Sequence, residues 1–289
     1  MNGGSKEIKT VLAIAGSDCS GGAGIQADLK TMEAHGVYGM SVITALTAQN
    51  TTGVMGVRAV DGDFVQKQME AVFEDIFPDA VKIGMLPDIE VMSVVADALK
   101  KYKPSYVVLD PVLSSTSGTK FSKKDEIMFM KKKLFCLCSL ITPNIPEAEI
   151  LSGRKINSKS DMEETALFLA DEYGCSVLLK GGHSSFDENR LCADCLCFIP
   201  DKAGDNSTKG QIVWYDGKRI DNPNTHGTGC TLSSAIACNL AGNMDMKMSV
   251  KKAKNYIESC IAAGLKLGKG RGPLLHNVLQ ACANVKHEA

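Results

Sequence analysis

The chain has 289 residues, with 32 Lys and Arg against 33 Asp and Glu, and the formal net charge of −1 argues against nucleic acid or an anionic membrane as its main partner. Hydrophobic residues make up 44% and charged residues 22%, the balance of a globular protein able to bury a large core, and no apolar run approaches the roughly 18 residues of a membrane span. The segment Met1 to Lys9 is polar and lacks a signal-peptide core, so the expected setting is the cytoplasm and the 11 cysteines are expected to be reduced.

From the N-terminus one pattern repeats: a short apolar run ends in glycine or polar residues, and a helical stretch follows. Val11 to Gly16 leads to Ser17-Asp18, Ser41 to Ala48 leads to Gln49-Asn50, and Ala80 to Gly84 leads to Met85. Tyr106 to Leu109 leads to Asp110-Pro111, Leu140 to Thr142 to Pro143-Asn144, and Val177 to Leu179 to Lys180-Gly181-Gly182. Runs that are apolar at consecutive positions fit strands buried on both faces of a parallel sheet. Among the intervening helices, Asp63 and Asp88 are placed to cap the second and third, and Ser160 with Glu163 makes a capping box. His35 follows the first helix and is expected to be exposed. Residues 191 to 221 break the rhythm: Leu191 to Ile199 and Gln211 to Tyr215 predict antiparallel strands around a polar loop. Asp216-Gly217 then predicts a hairpin turn before Lys218-Arg219-Ile220. Cys192, Cys195 and Cys197 lie here without the second ligand pair that zinc spacing requires, and the alternation around Leu196 and Phe198 reads as a strand. Near the end, Val250, Ala253, Ile257, Cys260, Ile261 and Leu267 share one helical stripe.

Alternating strands and helices predict an α/β fold, a three-layer α/β/α sandwich with a mostly parallel central sheet. It is expected to be one domain over residues 1–289, with residues 1–9 a flexible lead-in. Ligands of such sheets bind beyond the carboxyl ends of the strands, where all six polar tips lie.

Three stretches carry chemistry. In the first, Gly22-Ala23-Gly24-Ile25-Gln26-Ala27 fits the dinucleotide fingerprint, but the turn from Gly16 to Gly22 is long for that motif. The second strand, moreover, ends in Gln49-Asn50 with no acid to hold a ribose diol. Asp28, beside Ile25, Leu29 and Met32, is left open between solvent and substrate. The second is an absence: no Gly-x-x-x-x-Gly-Lys-Ser/Thr occurs in the sequence, so nucleotide phosphates here need glycine turns and a helix terminus. The third is the run from Asn224 to Ala235, where Gly227-Thr228-Gly229 flows into an apolar helical stretch. Its unpaired N–H groups and the positive end of the helix dipole suit a phosphate or a developing phosphoryl charge. Cys230, in the first turn, stands where that field favours thiolate over thiol. Phosphoryl transfer is the chemistry this run predicts.

Several stretches together resemble the hydroxymethylpyrimidine and phosphomethylpyrimidine kinases of thiamine biosynthesis, in the ribokinase superfamily. They are Ala13 to Asp18, Ser20 to Lys30, Val42 to Thr51, Lys82 to Leu86, Ile141 to Ala148, Lys180 to His183 and Asn224 to Leu232, all collinear. The resemblance implies a ribokinase-like fold, two successive phosphorylations using ATP and Mg²⁺, and a homodimer. It implies that Gly16, Asp28, Gln49, Met85 and Val112 line the pyrimidine pocket. Asp110 and the Asn144-x-x-Glu147 pair would hold Mg²⁺ near the ATP phosphates, and Lys180 would approach the phosphates as a point charge. Gly227, Thr228 and Gly229 would form the anion hole, with Cys230 taking the hydroxymethyl proton. Cys19 stands where the family commonly has Pro, and Leu113 where Met is common. The nearest rival within the superfamily is pyridoxal kinase, against which Gln49 counts, because an apolar residue tends to replace it there. A silent vitamer-binding protein is the rival of another class, but Asp110, Asn144, Glu147, Lys180 and Cys230 are all present. His226 is expected to be structural or phosphate-adjacent.

Overall fold

Alternate residues of each buried strand enter two different cores, and this is what makes the molecule three-layered. The computed structural model describes residues 8–113, 123–182, 192–200, 210–217 and 219–278. Its elements in chain order are β1 (Thr10–Asp18), α1 (Gly24–Ala34), β2 (Tyr38–Asn50), β3 (Gly53–Ala59), α2 (Gly62–Phe73), β4 (Ala80–Ile83), α3 (Ile89–Tyr102), β5 (Val107–Leu109) and α4 (Lys124–Lys133). There follow β6 (Leu140–Ile141), α5 (Ile145–Ser152), α6 (Lys159–Tyr173), β7 (Ser176–Leu179), β8 (Asp194–Phe198), β9 (Gln211–Tyr215), α7 (Thr228–Ala241) and α8 (Met246–Ala262). Among the described residues they build one sheet in the order β3-β2-β1-β4-β5-β6-β7-β8-β9. The six strands from β2 to β7 in that order are parallel; β3 and β8 run against them on either side, and β9, antiparallel to β8, ends the sheet.

On one face Leu12, Ile14, Val81, Ile83, Val107 and Leu109 pack under α2, α3 and α6; on the other Val11, Ala13, Ala80, Val108 and Leu178 pack under α1, α7 and α8. Helix α7 is wedged between the sheet, α1 and α8, so eleven consecutive residues from Thr231 to Ala241 are buried. Its small side chains (Ser233, Ser234, Ala235, Ala237) let its backbone lie close against its neighbours.

The structure corrects several boundaries. Asp61, not Asp63, caps α2, accepting from the Phe64 amide, because its backbone is extended while Gly62 already begins the helix. Ser158, not Ser160, caps α6, paired with Asp161 two residues before the expected box. Asp88 caps α3 as expected. Helix α8 ends at Ala262, so Leu267 falls off the stripe and is exposed. His35 is half-buried, its ring edge against Tyr256 at 4.6 Å and its Nδ1 on the Thr31 carbonyl. Strand β3 was not anticipated: its pattern carries no buried side, since it is an exposed edge. Arg219 and Ile220 form no strand, while residues 1–7, Leu191 and Lys218 lie outside the described residues, as does His183. Cys195 and Cys197 are fully buried in β8, facing β7 and β9 neighbours.

Candidate active site

The start of α7 is shaped by glycine. Gly227 caps it at φ +85°, a left-handed conformation, and a side chain there would run into the Gly22 carbonyl oxygen. The Thr228 amide and hydroxyl both turn back to the Thr225 carbonyl, at 3.3 and 2.6 Å. The helix ladder begins with Thr231 on Gly227 at 2.9 Å, leaving the Gly229 and Cys230 amides without a backbone acceptor among the described residues. Two uncommitted N–H groups at the positive end of a buried helix suit an anion. A Cβ on Gly229 would lie 2.8 Å from Asp110 Oδ2 and 3.4 Å from Lys180 Nζ, so only glycine lets a carboxylate and a cation approach this mouth.

Asp110, at the tip of β5, accepts from Lys180 Nζ at 2.7 Å and from the Thr142 hydroxyl at 3.0 Å. Burial works against the charge on Lys180, but Asp110 and Glu147 outweigh it and hold the ammonium above its ordinary value. Asn144 and Glu147 form a reciprocal cap on α5, with the Asn144 amide donating to Glu147 and the Glu147 amide to Asn144 Oδ1 at 2.8 and 2.9 Å. Burial, opposed by Lys180 and reinforced by Asp110, pushes the Glu147 carboxyl up to about 7. Two carboxylates set against one lysine leave an excess of negative charge among hard oxygens. That donor set fits Mg²⁺.

Below the same mouth lies a second pair. Lys82 projects from β4 into the core beneath α1 and α7, fully buried, with Nζ 2.8 Å from both Asp28 oxygens. Ser234 of α7 donates to Asp28 Oδ1 at 2.8 Å. Burial opposes the Lys82 charge, but Asp28, then Cys230, outweigh it and hold the proton more firmly than usual. Asp28 is therefore not the solvent-facing residue that helical spacing left open. Cys230 corrects a second expectation. Burial pushes its thiol up; Lys82 and the Gly24 amide pull the other way, and Asp28 and Asp110 add to the rise. The net direction is upward even though Cys230 keeps partial exposure, so the resting group is the thiol.

The first loop supplies the remaining wall. A Cβ on Gly16 would lie 2.5 Å from Met85 Cε, so the thioether lies directly over Gly16. Thr44 holds the Met85 carbonyl at 2.7 Å. Gln49, half-buried at the end of β2, contacts His226, which contacts Asp18. Val112 is half-buried, its amide on the Asp110 carbonyl at 2.9 Å, three residues beyond β5. Beside Asn224 a cavity of about 470 Å³ is lined by Ile220 to Asn224 and by Ala262, Gly264 and Lys266 to Gly268.

Residues 18–275 match the phosphomethylpyrimidine kinase family. The chain belongs to that family. It is 43% identical to a hydroxymethylpyrimidine/phosphomethylpyrimidine kinase of Rhizobium meliloti, over 92% of the chain and 96% of that protein. It is also 43% identical, over 92% of the chain, to a thiamine biosynthesis bifunctional protein of Geobacter sulfurreducens, of which it spans about half, 52%. Among solved structures it is similar to the ADP complex of a Bacillus subtilis pyridoxal kinase, with a TM-score of 0.83, 31% identity, and coverage of 95% of the chain and 99% of that one. The family makes the protein a phosphotransferase of thiamine biosynthesis, a hydroxymethylpyrimidine/phosphomethylpyrimidine kinase on a ribokinase-like α/β fold. Among the described residues no helix is long and apolar enough to cross a membrane.

The structure thus gathers Gly227, Thr228, Gly229, Cys230, Asp110 and Lys180 at one mouth, with Asn144 and Glu147 on its flank. Lys82 and Thr142 carry contacts that sequence reasoning did not assign, while Asp18 holds the first loop by turn hydrogen bonds, the role its position suggests, and is joined there by His226. For Lys82 a signal existed: a lysine inside the apolar run Ala80 to Ile83 has to find a buried anion.

Proposed function

We propose that the protein transfers the γ-phosphoryl group of ATP to the hydroxymethyl oxygen of 4-amino-5-hydroxymethyl-2-methylpyrimidine, and then a second phosphoryl group to the monophosphate. The observation that carries this reading is the close approach of Gly229 to Asp110 and Lys180, which joins free amides, a carboxylate and a cation at one point. In each step an O–P bond to the acceptor forms, the bond to the bridging oxygen of ADP breaks, and charge spreads over the migrating group's oxygens. The Gly229 and Cys230 amides meet that charge, and Lys180 exchanges Asp110 for phosphate oxygens. Asp110 and Glu147 would hold Mg²⁺ with its waters, and the ion would offset phosphate charge. The acceptor's proton passes to the Cys230 sulfur in its ionised fraction. Because the resting thiol is protonated, most of the rate comes from positioning and charge stabilisation.

Gly16, Met85 and Val112 would frame the flat ring, Gln49 would pair with its polar edge, and Asp28 would lie beneath, held by Lys82 and Ser234. The cavity beside Asn224 would take the nucleotide base, three residues from Gly227 and so next to the phosphate mouth. A homodimer in the cytosol belongs to the same proposal, with exposed Leu46, Met55 and Val57 at the β2–β3 edge available for cover.

Product identity tests this. The enzyme with Mg-ATP and the pyrimidine alcohol is expected to yield first the monophosphate and then the diphosphate, resolved by mass. Faster turnover of pyridoxal by about tenfold overturns the substrate in favour of a pyridoxal kinase. Tight binding of the pyrimidine with no ATP consumed overturns the enzyme itself.

A further inference from the structure

Asp18, at the tip of β1, accepts on both oxygens. Oδ1 takes the Ser20 amide at 2.9 Å and the Ser20 hydroxyl at 2.8 Å; Oδ2 takes the amides of Gly22 and Ala23 at 3.2 and 2.9 Å and His226 Nε2 at 2.8 Å. Burial works against its charge, but the bonds from His226 and Ser20 hold its carboxyl below the ordinary value. An ionised carboxylate only accepts, so the hydrogen in the contact with His226 sits on Nε2.

That assignment collides with the next contact. Gln49 Nε2 lies 3.0 Å from the same His226 Nε2, donor against donor. At the other end of the amide, Gln49 Oε1 lies 3.4 Å from Thr47 Oγ1. The Thr47 hydroxyl hydrogen is already given to the Ser17 carbonyl at 2.8 Å, so this is acceptor against acceptor. A half-turn of the amide removes both clashes: Oε1 then shares the single His226 Nε2–H with Asp18 as a second acceptor, and the NH₂ donates to Thr47 Oγ1. The oxygen and nitrogen of a glutamine amide are interchangeable in shape, and the surrounding network decides between them.

We propose that Asp18 and His226 are positioning residues that lock the Gln49 amide in this half-turned orientation, Oε1 on His226 Nε2–H and NH₂ on Thr47 Oγ1, and so decide which hydrogen-bonding edge the substrate must present. The backbone of Gln49 is tied to the same loop: Cys19 Sγ donates to its carbonyl at 3.1 Å and accepts from its amide at 3.3 Å. Locked in this way, Gln49 keeps one N–H and one lone pair in fixed places. A ring nitrogen beside an exocyclic amino group matches them. The 4-oxo analogue, with a ring N–H beside a carbonyl, presents the reverse order and is refused. A glutamine free to turn reads both. The inference rests on the reading that Gln49 faces the pyrimidine.

Two measurements test it. Nitrogen-15 NMR of the wild-type protein labelled at histidine is expected to show His226 protonated at Nε2; a bare Nε2 overturns the lock whatever the substrate proves to be. Steady-state kinetics with the 4-amino and 4-oxo pyrimidine alcohols then compares wild type with His226→Phe. The variant is expected to raise KM for the amino compound and to lose discrimination against the oxo compound, each by about tenfold, the worth of one hydrogen bond. KM for ATP should stay within about twofold. Undiminished discrimination in the folded variant overturns the proposal. Failure of the wild type to turn over either pyrimidine would strike the proposed function instead and leave the NMR result standing.

Discussion

Two lysine–aspartate pairs flank the start of α7 and differ in what surrounds them. Lys82 and Asp28 have side chains with 0% exposure, joined at 2.8 Å, whereas Lys180 and Asp110 keep 16% and 5% and are joined at 2.7 Å. The bond lengths are alike; the freedom to exchange partners is not. The sealed pair has no access to water, so its charges stay fixed and their work is to shape the field beneath Cys230. The pair at the mouth can trade its bond for a phosphate oxygen and a cation. One chemical motif therefore serves as a fixed support in one place and as a movable contact in the other.

Breaking the pairs one at a time separates these roles, and the largest effect is expected below. Lys82→Met leaves Asp28 buried without its counter-charge, a loss of about 3–5 kcal/mol of stability. Removing Asp28 as well, as Asp28→Leu with Lys82→Met, should recover much of it, since paired removal restores neutrality. Denaturant unfolding of the three proteins measures both. A single variant as stable as wild type would show that the pair carries no burden in the fold. Lys180→Met inverts the profile. Its partners Asp110 and Glu147 stay largely buried, so some stability should be lost, but less than for Lys82→Met, since water reaches this mouth and Asp110 keeps Thr142. Turnover should fall about 10²- to 10³-fold, as it does when one preorganised donor is lost from a charged transition state. Equal destabilisation by both methionine variants would erase the distinction.

Cys230→Ala sits between the pairs. We expect turnover to drop about a hundredfold with the fold intact, at the low end of proton-transfer contributions because the resting thiol is protonated. In the wild type the rate should climb as pH rises above neutral and the thiol ionises, and the alanine variant should lose that slope. Full turnover by the variant, with the slope unchanged, takes the cysteine out of the chemistry.

The layers were legible because consecutive apolar residues in Val11 to Ala15 or Val107 to Leu109 leave a strand no polar face, and the two-core packing follows directly. The mouth was legible because glycines at 227 and 229 have few other reasons to open a helix. Helix starts at Asp61 and Ser158 were missed by two residues, since Asp63 and Ser160 offer the same side-chain chemistry nearby. Strand β3 escaped because an edge exposed on both sides shows no alternation. The ionisation of Cys230 was misjudged because a local rule about helix ends was applied without knowing its burial. The Asp18–His226–Gln49 chain joins positions 208 and 177 residues apart, and pairing at that range leaves no spacing to read.

The smallest expected effect concerns Glu147, and it tests whether the mouth is poised for a cation. Its folded value of about 7 lies above the ordinary 4.5, so the folded state keeps this proton where the unfolded chain has lost it. Stability from this group is therefore fully present below about pH 4.5, declines as pH rises through about 7, and is flat above. The shift corresponds to at most about 3 kcal/mol, and screening at a mouth that water reaches will reduce it. Glu147→Gln removes the titration while an amide oxygen still accepts from the Asn144 amide. The variant should match wild type in thermal unfolding at pH 5 and exceed it at pH 8. Added Mg²⁺ should narrow the gap at pH 8 by stabilising the wild type alone. If the two proteins keep the same difference at both pH values, the excess negative charge beside Asp110 is not under strain, and the contrast with the self-neutral pair around Lys82 fails at that point.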